Sequence, residues 1–249
     1  MSTLRNSIHG SEMVDIHCHL LYGVDDGATS FQVSSIMLDE AAAQGITDII
    51  LTPHYRKGMF PYDNENIANN YETIKKVADS NGIKLYLGCE YHADSDMIPH
   101  LREGRVKTLA GSDYVLVEYS HDSTYLQVRN SLEELISNGY IPVIAHAERY
   151  RIIQKDPGTA GQFREMGAKI QLNADSILGI DGSLPRRVCK SLLKNSLADI
   201  VASDSHGTLS RKCNISECRK YITKKYGEYY AEKLFFLNPG KIIAVRSDN

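Results

Sequence analysis

The segment Met13-Val14-Asp15-Ile16-His17-Cys18-His19 joins a short apolar run to two histidines one residue apart. Six further short runs of aliphatic and β-branched residues follow it along the chain. These runs do not alternate between apolar and polar residues, which is typical of strands buried on both faces of a parallel sheet. The seven predicted strands cover residues 13–17, 47–52, 84–88, 113–118, 141–146, 169–173 and 199–203.

Helical patterns lie between these strands and have recognisable ends. Small polar residues stand where each helix is expected to begin, because their side chains can accept hydrogen bonds from the first free backbone N–H groups. Glycines stand where the helices are expected to end. The predicted N-caps are Ser30, Asn64, Thr124 and Asn214, with capping boxes to Gln127 and Glu217, and the terminating glycines are Gly45, Gly82, Gly139 and Gly227.

The alternation of strands and helices, without a linker or a low-complexity segment, predicts a single α/β domain. We expect a closed or nearly closed barrel. The alternative is a doubly wound open sheet that binds a dinucleotide. Against it, the segment Gly23-Val24-Asp25-Asp26-Gly27 after the first strand carries acids where a pyrophosphate needs bare backbone amides.

The composition is that of an ordinary globular chain, with 249 residues, 42% hydrophobic and 24% charged. The net charge of −3 argues against a general attraction to nucleic acid or to an anionic membrane. The longest charge-free segment, near residues 135–147, is too short to insert across a bilayer. We interpret residues 1–12 as a polar lead-in and residues 13–249 as one domain, and we expect a cytoplasmic protein.

Cysteine usage argues against both disulfides and thiol chemistry. The five cysteines are an odd number without a CxxC pair, which indicates neither a disulfide framework nor a zinc knuckle. Cys18 and Cys89 are expected to pack as small core residues.

Polar residues follow the predicted strands at intervals of 27 to 37 residues, about one strand–helix unit each; from His17 the series runs through His54, Glu90, Glu118, His146, Asn173 and Asp204. They therefore occupy corresponding places at the carboxyl ends of the strands, where barrel active sites are built. Any one of them could be a helix cap or a core residue. Together they form a set of five imidazoles and four carboxylates: His17, His19, Asp26, His54, Glu90, Glu118, His146, Asp204 and His206.

A cluster of unpaired carboxylates is costly to bury unless cations neutralise it, so this set predicts divalent metal ions. Nine ligands exceed the need of one ion, which indicates two or three. Imidazole and carboxylate without thiolate suit manganese, zinc or iron. Arg149 and Arg211 follow two of the ligands closely, and forked guanidinium donors beside such ions favour a phosphate substrate attacked by metal-activated hydroxide.

The same residues carry a resemblance that runs in order from about Val14 to Asn238-Pro239. The sequence resembles the polymerase-and-histidinol-phosphatase (PHP) superfamily and, within it, bacterial tyrosine-protein phosphatases linked to capsule and exopolysaccharide synthesis. The matching segments are Asp15-Ile16-His17-Cys18-His19, Val24-Asp25-Asp26-Gly27, Thr52-Pro53-His54-Tyr55, Gly88-Cys89-Glu90, Val117-Glu118, Ala145-His146-Ala147-Glu148-Arg149-Tyr150 and Ala202-Ser203-Asp204-Ser205-His206.

The resemblance implies a distorted (β/α)7 TIM-like barrel, three metal ions usually assigned as manganese, and hydrolysis of phosphotyrosine in proteins. The implied substrate is a membrane-associated tyrosine autokinase that regulates polysaccharide export. Arg149 and Arg211 match phosphate-contacting arginines. The segment Arg56-Lys57-Gly58-Met59-Phe60 matches a loop of the tyrosine-phosphatase branch. Its two cations and apolar ring suit an acidic phosphotyrosine peptide, so Arg56 and Lys57 are expected to bind substrate; the alternative is an exposed basic turn. The implied metal groups are His17, His19, Glu90 and Asp204; Glu90, Glu118 and His146; and Asp26, His54 and His206, with Asp25 as the alternative to Asp26 in the same loop.

Other interpretations of the sequence remain open. The same site chemistry would serve a small-molecule phosphomonoesterase such as a histidinol phosphatase. An amidohydrolase also begins with His-x-His but needs a bridging lysine where this chain has Glu118. A metal-stabilised scaffold without catalysis is a further alternative. The row Cys218, Tyr221 and Ile222 is either an oligomer interface or a stripe that packs onto the barrel.

Overall fold

The computed structural model describes residues 12–244, so the predicted polar lead-in lies outside the described residues except for Glu12. Every strand pair between residues 12 and 244 is parallel. The strand order is β1-β2-β4 in one sheet and β3-β5-β6-β7-β8-β9 in the other. The strands are β1 Met13–Cys18, β2 Ile46–Leu51, β3 His54–Tyr55, β4 Lys84–Leu87, β5 Glu90–His92, β6 Tyr114–Glu118, β7 Ile141–Ile144, β8 Lys169–Asn173 and β9 Ile200–Ala202.

The two sheets are parts of one curled surface made of seven strand units. Pro53, which has no backbone N–H, separates β2 from β3, and Gly88-Cys89 separates β4 from β5. The surface closes where the segment after β9 returns to β1: Asp204 donates its backbone N–H to the carbonyl of His17, and His19 donates to Ser205, both at 2.9 Å. The predicted distorted seven-unit barrel is confirmed.

Helices connect the strands. α1 begins after Ser30, whose side chain accepts from the backbone N–H of Val33, and α4 begins with the predicted capping box of Thr124 and Gln127. The helices are α1 Phe31–Ala43, α2 Asn64–Ser80, α3 Met97–Arg102, α4 Tyr125–Ser137, α5 Arg151–Lys155, α6 Gly158–Glu165, α7 Ala174–Leu178, α8 Ser183–Lys194, α9 Ile215–Tyr226, α10 Glu228–Glu232 and α11 Asn238–Ala244, with a π-helical turn over Lys233–Leu237 before the last.

Two predicted caps differ from the structure. Asn64 is the first helical residue of α2, because the carboxylate of Asp63 already accepts the N–H groups of Glu65 and Asn66. Asn214 does precede α9, but its side chain makes no capping bond. Its Nδ2 donates instead to Asp175 Oδ1 at 2.8 Å, so the predicted box is replaced by a tertiary contact.

The apolar residues of the strands support the polar carboxyl ends. All six residues of β1 are buried. Leu116 and Ala202 are buried in one apolar cluster. Leu116 lies two positions before Glu118 on the same side of β6, and Ala202 is the last residue of β9, two positions before Asp204. The polar cluster therefore lies directly over packed side chains, which restrict its movement.

The row on α9 packs within the chain, since Cys218 and Ile222 are fully buried and Tyr221 is half-buried.

Across residues 12–244, no helix combines the length and the hydropathy needed to cross a bilayer.

Candidate metal centre

The nine residues selected from the sequence converge at the carboxyl ends of the strands. β1 supplies His17 and His19, β5 begins with Glu90, and β6 ends with Glu118. Six of the nine are buried, although all nine are polar. The outermost is Asp26, whose side chain is 47% exposed. The cluster is therefore a deep centre with one open side.

Glu90 lies in the middle of the cluster. Its Oε2 atom is 3.2 Å from Nε2 of His17, 3.2 Å from Nε2 of His19 and 3.0 Å from Nδ1 of His54. Its Oε1 atom is 2.8 Å from Nε2 of His146. Four imidazoles thus surround one fully buried carboxylate.

Three groups of ligand atoms lie close enough to hold an ion. Within each group the atoms are within 4.8 Å of one another. His146 falls outside these groups, but its Nε2 atom contacts Glu90 and lies 3.7 Å from Glu118 Oε1. The groups are His19, Asp26, His54 and His206; His17, His19 and Asp204; and His54, Glu90 and Glu118.

The imidazole nitrogens and carboxylate oxygens of the centre are better placed to bind a cation than to hydrogen-bond one another. Nε2 of His17 faces Nε2 of His19 at 3.1 Å, so at most one hydrogen can lie between two nitrogens that both point inward. Glu90 Oε2 and His206 Nε2 are buried and make no hydrogen bond of adequate geometry, although three imidazole nitrogens lie 3.0–3.2 Å from Glu90 Oε2. Such orphaned atoms are rare in native proteins unless an ion or water satisfies them. Imidazole and carboxylate ligands suit divalent transition metals.

The electrostatics of the carboxylates agree with that fit. Burial and the negative charge of Glu90 raise the pKa of Glu118 to about 7. Burial also opposes ionisation of Glu90, but the positive charges of His17 and His54 outweigh it and hold the pKa of Glu90 well below its usual range. The pKa values of the neighbouring Glu90 and Glu118 therefore differ strongly, as expected for two carboxylates that share a site.

The structure brings Arg149 and Arg211 to the same carboxylate. Arg149 Nη1 donates to Asp204 Oδ2 at 3.1 Å, and Arg211 Nη2 donates to Asp204 Oδ1 at 3.2 Å. Arg149 also contacts Asp181, and its side chain is 25% exposed. Burial disfavours the ionised form of Asp204, but the charges of His17 and Arg149 outweigh it and lower the pKa of Asp204. Both guanidinium groups therefore lie at the edge of the centre.

Three residues of the site adopt left-handed backbone conformations without being glycine. His146, Asp204 and Arg211 have φ values of 33°, 52° and 48°. Non-glycine residues avoid this region for steric reasons, and such strain concentrates at functional sites. At Asp204 the turn coincides with the bond from its backbone N–H to His17, which aims the carboxylate into the cluster.

Cysteine is not part of the centre. Cys18 lies between His17 and His19 but points to the opposite side, where its Sγ atom is 3.2 Å from Ser205 Oγ. Burial raises the pKa of the Cys18 thiol well above its usual value, which keeps it protonated and unreactive.

The loop over residues 56–60 is a tight turn in which the backbone N–H groups of Met59 and Phe60 both donate to the carbonyl of Arg56. The ring of Phe60 stacks on His54 with centroids 5.2 Å apart. Lys57, predicted to bind substrate together with Arg56, pairs with Asp96 at 2.7 Å on the exposed surface. Arg56 is exposed, and its positive charge favours the ionised form of Glu118 and so lowers its pKa, against the larger effect of burial.

Sequence reasoning assigned no supporting role to several polar residues beside the candidate ligands: it placed Asn173 at a strand end, kept Asp25 as an alternative to Asp26, and missed Gln171. Asp25 holds His19, with Oδ2 2.8 Å from Nδ1, and accepts the backbone N–H of His54. Gln171 and Asn173, on β8, contact His17 and Asp204. The available signal was the period of two along β8, which places two amides on one face.

A polar cleft of ≈ 460 Å³ opens beside Arg149. A larger cleft of ≈ 550 Å³ lies by Met13, at the amino end of β1, and so belongs to the other face of the barrel. The polar cleft is lined by His121, Asp122, Arg149, Arg151, Gln154, Asp181 and Pro185.

Fold and site together define a class: a parallel β/α barrel whose carboxyl-terminal mouth carries a histidine- and carboxylate-rich centre suited to divalent metal ions. Within that class, the chain belongs to the CpsB/CapC family of capsular polysaccharide synthesis, whose pattern matches residues 13–244.

Individual relatives agree with this membership. The chain is 34% identical to the tyrosine-protein phosphatase CpsB of Streptococcus pneumoniae over 240 residues, which is 93% of this chain and 98% of the relative. It is 31% identical to the tyrosine-protein phosphatase YwqE of Bacillus subtilis over 217 residues, covering 86% of this chain and 85% of the relative. The solved structures of YwqE and CpsB, described as unique metal-dependent tyrosine phosphatases, match with a TM-score of 0.85 and 29% identity, covering 93% of this chain and 94% of the other. The family resemblance drawn from the sequence is confirmed.

Proposed function

We propose that this protein is a metal-dependent tyrosine-protein phosphatase, that is, a phosphoric monoester hydrolase acting on phosphotyrosine. The observation that carries the proposal is the placement of two arginines against Asp204, at the open edge of a centre of five imidazoles and four carboxylates. Family membership and relatives with this activity support it.

In this proposal the nine residues of the centre hold the metal ions. The ligand number favours three ions, and the ligand chemistry favours manganese, with zinc or iron as alternatives. Ions of this kind neutralise phosphate oxygens and make water acidic enough to act as a nucleophile near neutral pH. The orphaned atoms Glu90 Oε2 and His206 Nε2 are the buried positions that such ions would satisfy.

The two arginines bind the phosphate and hold the negative charge that develops on its oxygens. Each guanidinium carries five N–H donors in a fixed fork. Arg149 uses one nitrogen for Asp204 and the other for Asp181, and each of these nitrogens has a second hydrogen to donate. Because both arginines are partly exposed, an entering phosphate can reach these donors.

The surroundings of the centre suit an aromatic phosphoester on a polypeptide. Phe60 offers an apolar ring beside the mouth, and exposed Arg56 offers a charge to acidic flanking residues. The polar cleft beside Arg149 has room for neighbouring residues of a substrate chain. We propose as substrate the phosphotyrosines of a membrane-associated autokinase that regulates capsule or exopolysaccharide synthesis, dephosphorylated in the cytoplasm.

Phosphate release from a phosphotyrosine peptide tests this function. We expect turnover with added Mn²⁺, its loss with a chelator and its loss in His17→Ala. His100→Ala is a matched control, since His100 lies outside the centre and bonds to Tyr91. Activity of His17→Ala in the presence of chelator would contradict the proposal. A strong preference for histidinol phosphate over the peptide would favour a small-molecule phosphatase instead.

A further inference from the structure

Strand β8 differs from its neighbours because its carboxyl end carries two amides rather than imidazoles or carboxylates. These residues, Gln171 and Asn173, are called the amide pair below. They are two positions apart and so lie on the same side of the strand. They are 0% and 1% exposed. At that burial, hydrogen bonds within the protein must satisfy their polar atoms.

One end of the amide pair contacts a group that can only donate a hydrogen bond. The backbone N–H of His146 donates to Gln171 at 2.8 Å, and a backbone N–H can only donate. The atom of Gln171 that faces it must therefore be the oxygen Oε1. Because this fixes the amide, Nε2 of Gln171 is the atom that faces Asn173 Oδ1, also at 2.8 Å.

The other end meets an acceptor that cannot be reversed. Nδ2 of Asn173 lies 2.6 Å from Asp204 Oδ2. Asp204 also accepts from Arg149 and Arg211, so its carboxylate is ionised and can only accept. The two ends were assigned independently, and both require the same orientation of the two amides.

The orientation of the Gln171 amide determines that Nδ1 of His17 carries a hydrogen. Nδ1 of His17 is 3.1 Å from Gln171 Oε1, which is an acceptor, so Nδ1 carries a hydrogen. In neutral His17, the form that can bind a metal ion, the other nitrogen Nε2 then presents its lone pair toward His19 and Glu90. At Asp204, the bond from Asn173 engages Oδ2, while Oδ1 faces Nε2 of His17 at 3.4 Å.

We propose that Gln171 and Asn173 are positioning residues of the metal centre. Gln171 holds His17 in the tautomer whose Nε2 can bind a cation, and Asn173 holds Asp204 with Oδ1 turned toward the same point. The inference rests on the proposed function only in requiring that the centre bind divalent ions. Outer partners of this kind typically change metal affinity by about 10- to 100-fold when removed.

The test measures Mn²⁺ binding to the metal-stripped full-length chain by calorimetric titration, without using turnover. Gln171→Met keeps the length of the side chain but has neither the acceptor nor the donor. Asn173→Ala removes the bond to Asp204 and the acceptor of Gln171 Nε2, but it keeps the bonds from Gln171 Oε1 to His146 and His17. It is the second variant if the first does not fold. We expect the Mn²⁺ dissociation constant to rise by about tenfold or more in each.

The matched control is Gln44→Met, because Gln44 also makes one accepted and one donated bond, to Ser216 and Cys213, away from the centre. We expect this variant to lower the Tm of the metal-stripped protein while leaving the Mn²⁺ dissociation constant unchanged. A smaller rise than tenfold in the amide-pair variants, or an equal rise in the control, would overturn the proposal.

The design separates this inference from the proposed function. If the wild-type chain binds Mn²⁺ but does not hydrolyse phosphotyrosine, the proposed function fails and the dissociation constants still decide the role of the amide pair. If the amide-pair variants bind Mn²⁺ like the wild type while the wild type hydrolyses phosphotyrosine, only the positioning role is refuted.

Discussion

Replacement of Arg149 by alanine separates phosphate binding from stability. The side chain joins Asp204 and Asp181 and is one-quarter exposed. After its removal Asp204 still accepts from Arg211 and Asn173, but the buried Glu148 loses a neighbouring positive charge. Because Asp204 is buried as well, we expect a loss larger than the about 1 kcal/mol of an exposed ion pair and smaller than the about 3–5 kcal/mol of a buried charge left without any partner. Each kcal/mol corresponds to about 2–4 °C in Tm for a chain of this size, so Arg149→Ala is expected to lower Tm by several degrees and to remain folded.

The effect of Arg149→Ala on catalysis is expected to be far larger. A donor aimed at charge that develops on the reacting group is worth about 2.7–4 kcal/mol, or about 10²- to 10³-fold in kcat. The assay is kcat and KM for a phosphotyrosine peptide at saturating Mn²⁺, read as a loss of transition-state stabilisation.

Arg164→Ala is the matched control for Arg149→Ala. Arg164 donates two hydrogen bonds, each 2.9 Å long, to the carboxylate of Asp199. Asp199 directly precedes β9, at the end of the strand opposite to the metal centre. We expect this variant to lose stability but to keep its kcat. A loss of kcat smaller than tenfold in Arg149→Ala, or an equal loss in Arg164→Ala, would refute the assigned role of Arg149.

Three further predictions concern the rim, the fold and the cysteines. Arg56→Ala is expected to raise KM severalfold for acidic phosphotyrosine peptides. Lys57→Ala is expected to have little effect, because Asp96 already pairs with Lys57. The assay compares the KM values of the two variants, and equal changes in KM would contradict the role of Arg56. Thr124→Ala removes a capping box and is expected to lower the free energy of unfolding by about 0.5–2 kcal/mol, measured in urea, with kcat unchanged; a loss of activity in the folded variant would be the contrary result. Alkylation with iodoacetamide is expected to leave turnover intact, since burial keeps Cys18 protonated; inactivation in step with labelling of Cys18 would show that the thiol matters.

The sequence was sufficient for the seven strand units and for the polar residues at their ends because both depend on local patterns. Each unit begins with a short apolar run, and a polar residue follows the run. This pattern places His17 and Glu118 at the same face of a barrel. Their convergence then follows from parallel strands in one closed sheet. The pattern does not show the short strands β3 and β5, which follow the breaks at Pro53 and Gly88-Cys89.

Other features depend on tertiary contacts and left no such pattern. The left-handed backbone at Asp204 is set by its bond to His17, far away in sequence. The role of Gln171 depends on the backbone of His146, and an isolated glutamine in a strand gives no signal of that contact. Asp63 rather than Asn64 caps α2 because adjacent capping residues compete, and composition does not decide between them.

Anomalous X-ray diffraction from crystals soaked with Mn²⁺ tests the central claim most directly. We expect peaks at the carboxyl ends of the strands, within coordination distance of His17, Glu118 and Asp204. Crystals that show no peak there, or peaks only on acidic surface residues elsewhere, would contradict it.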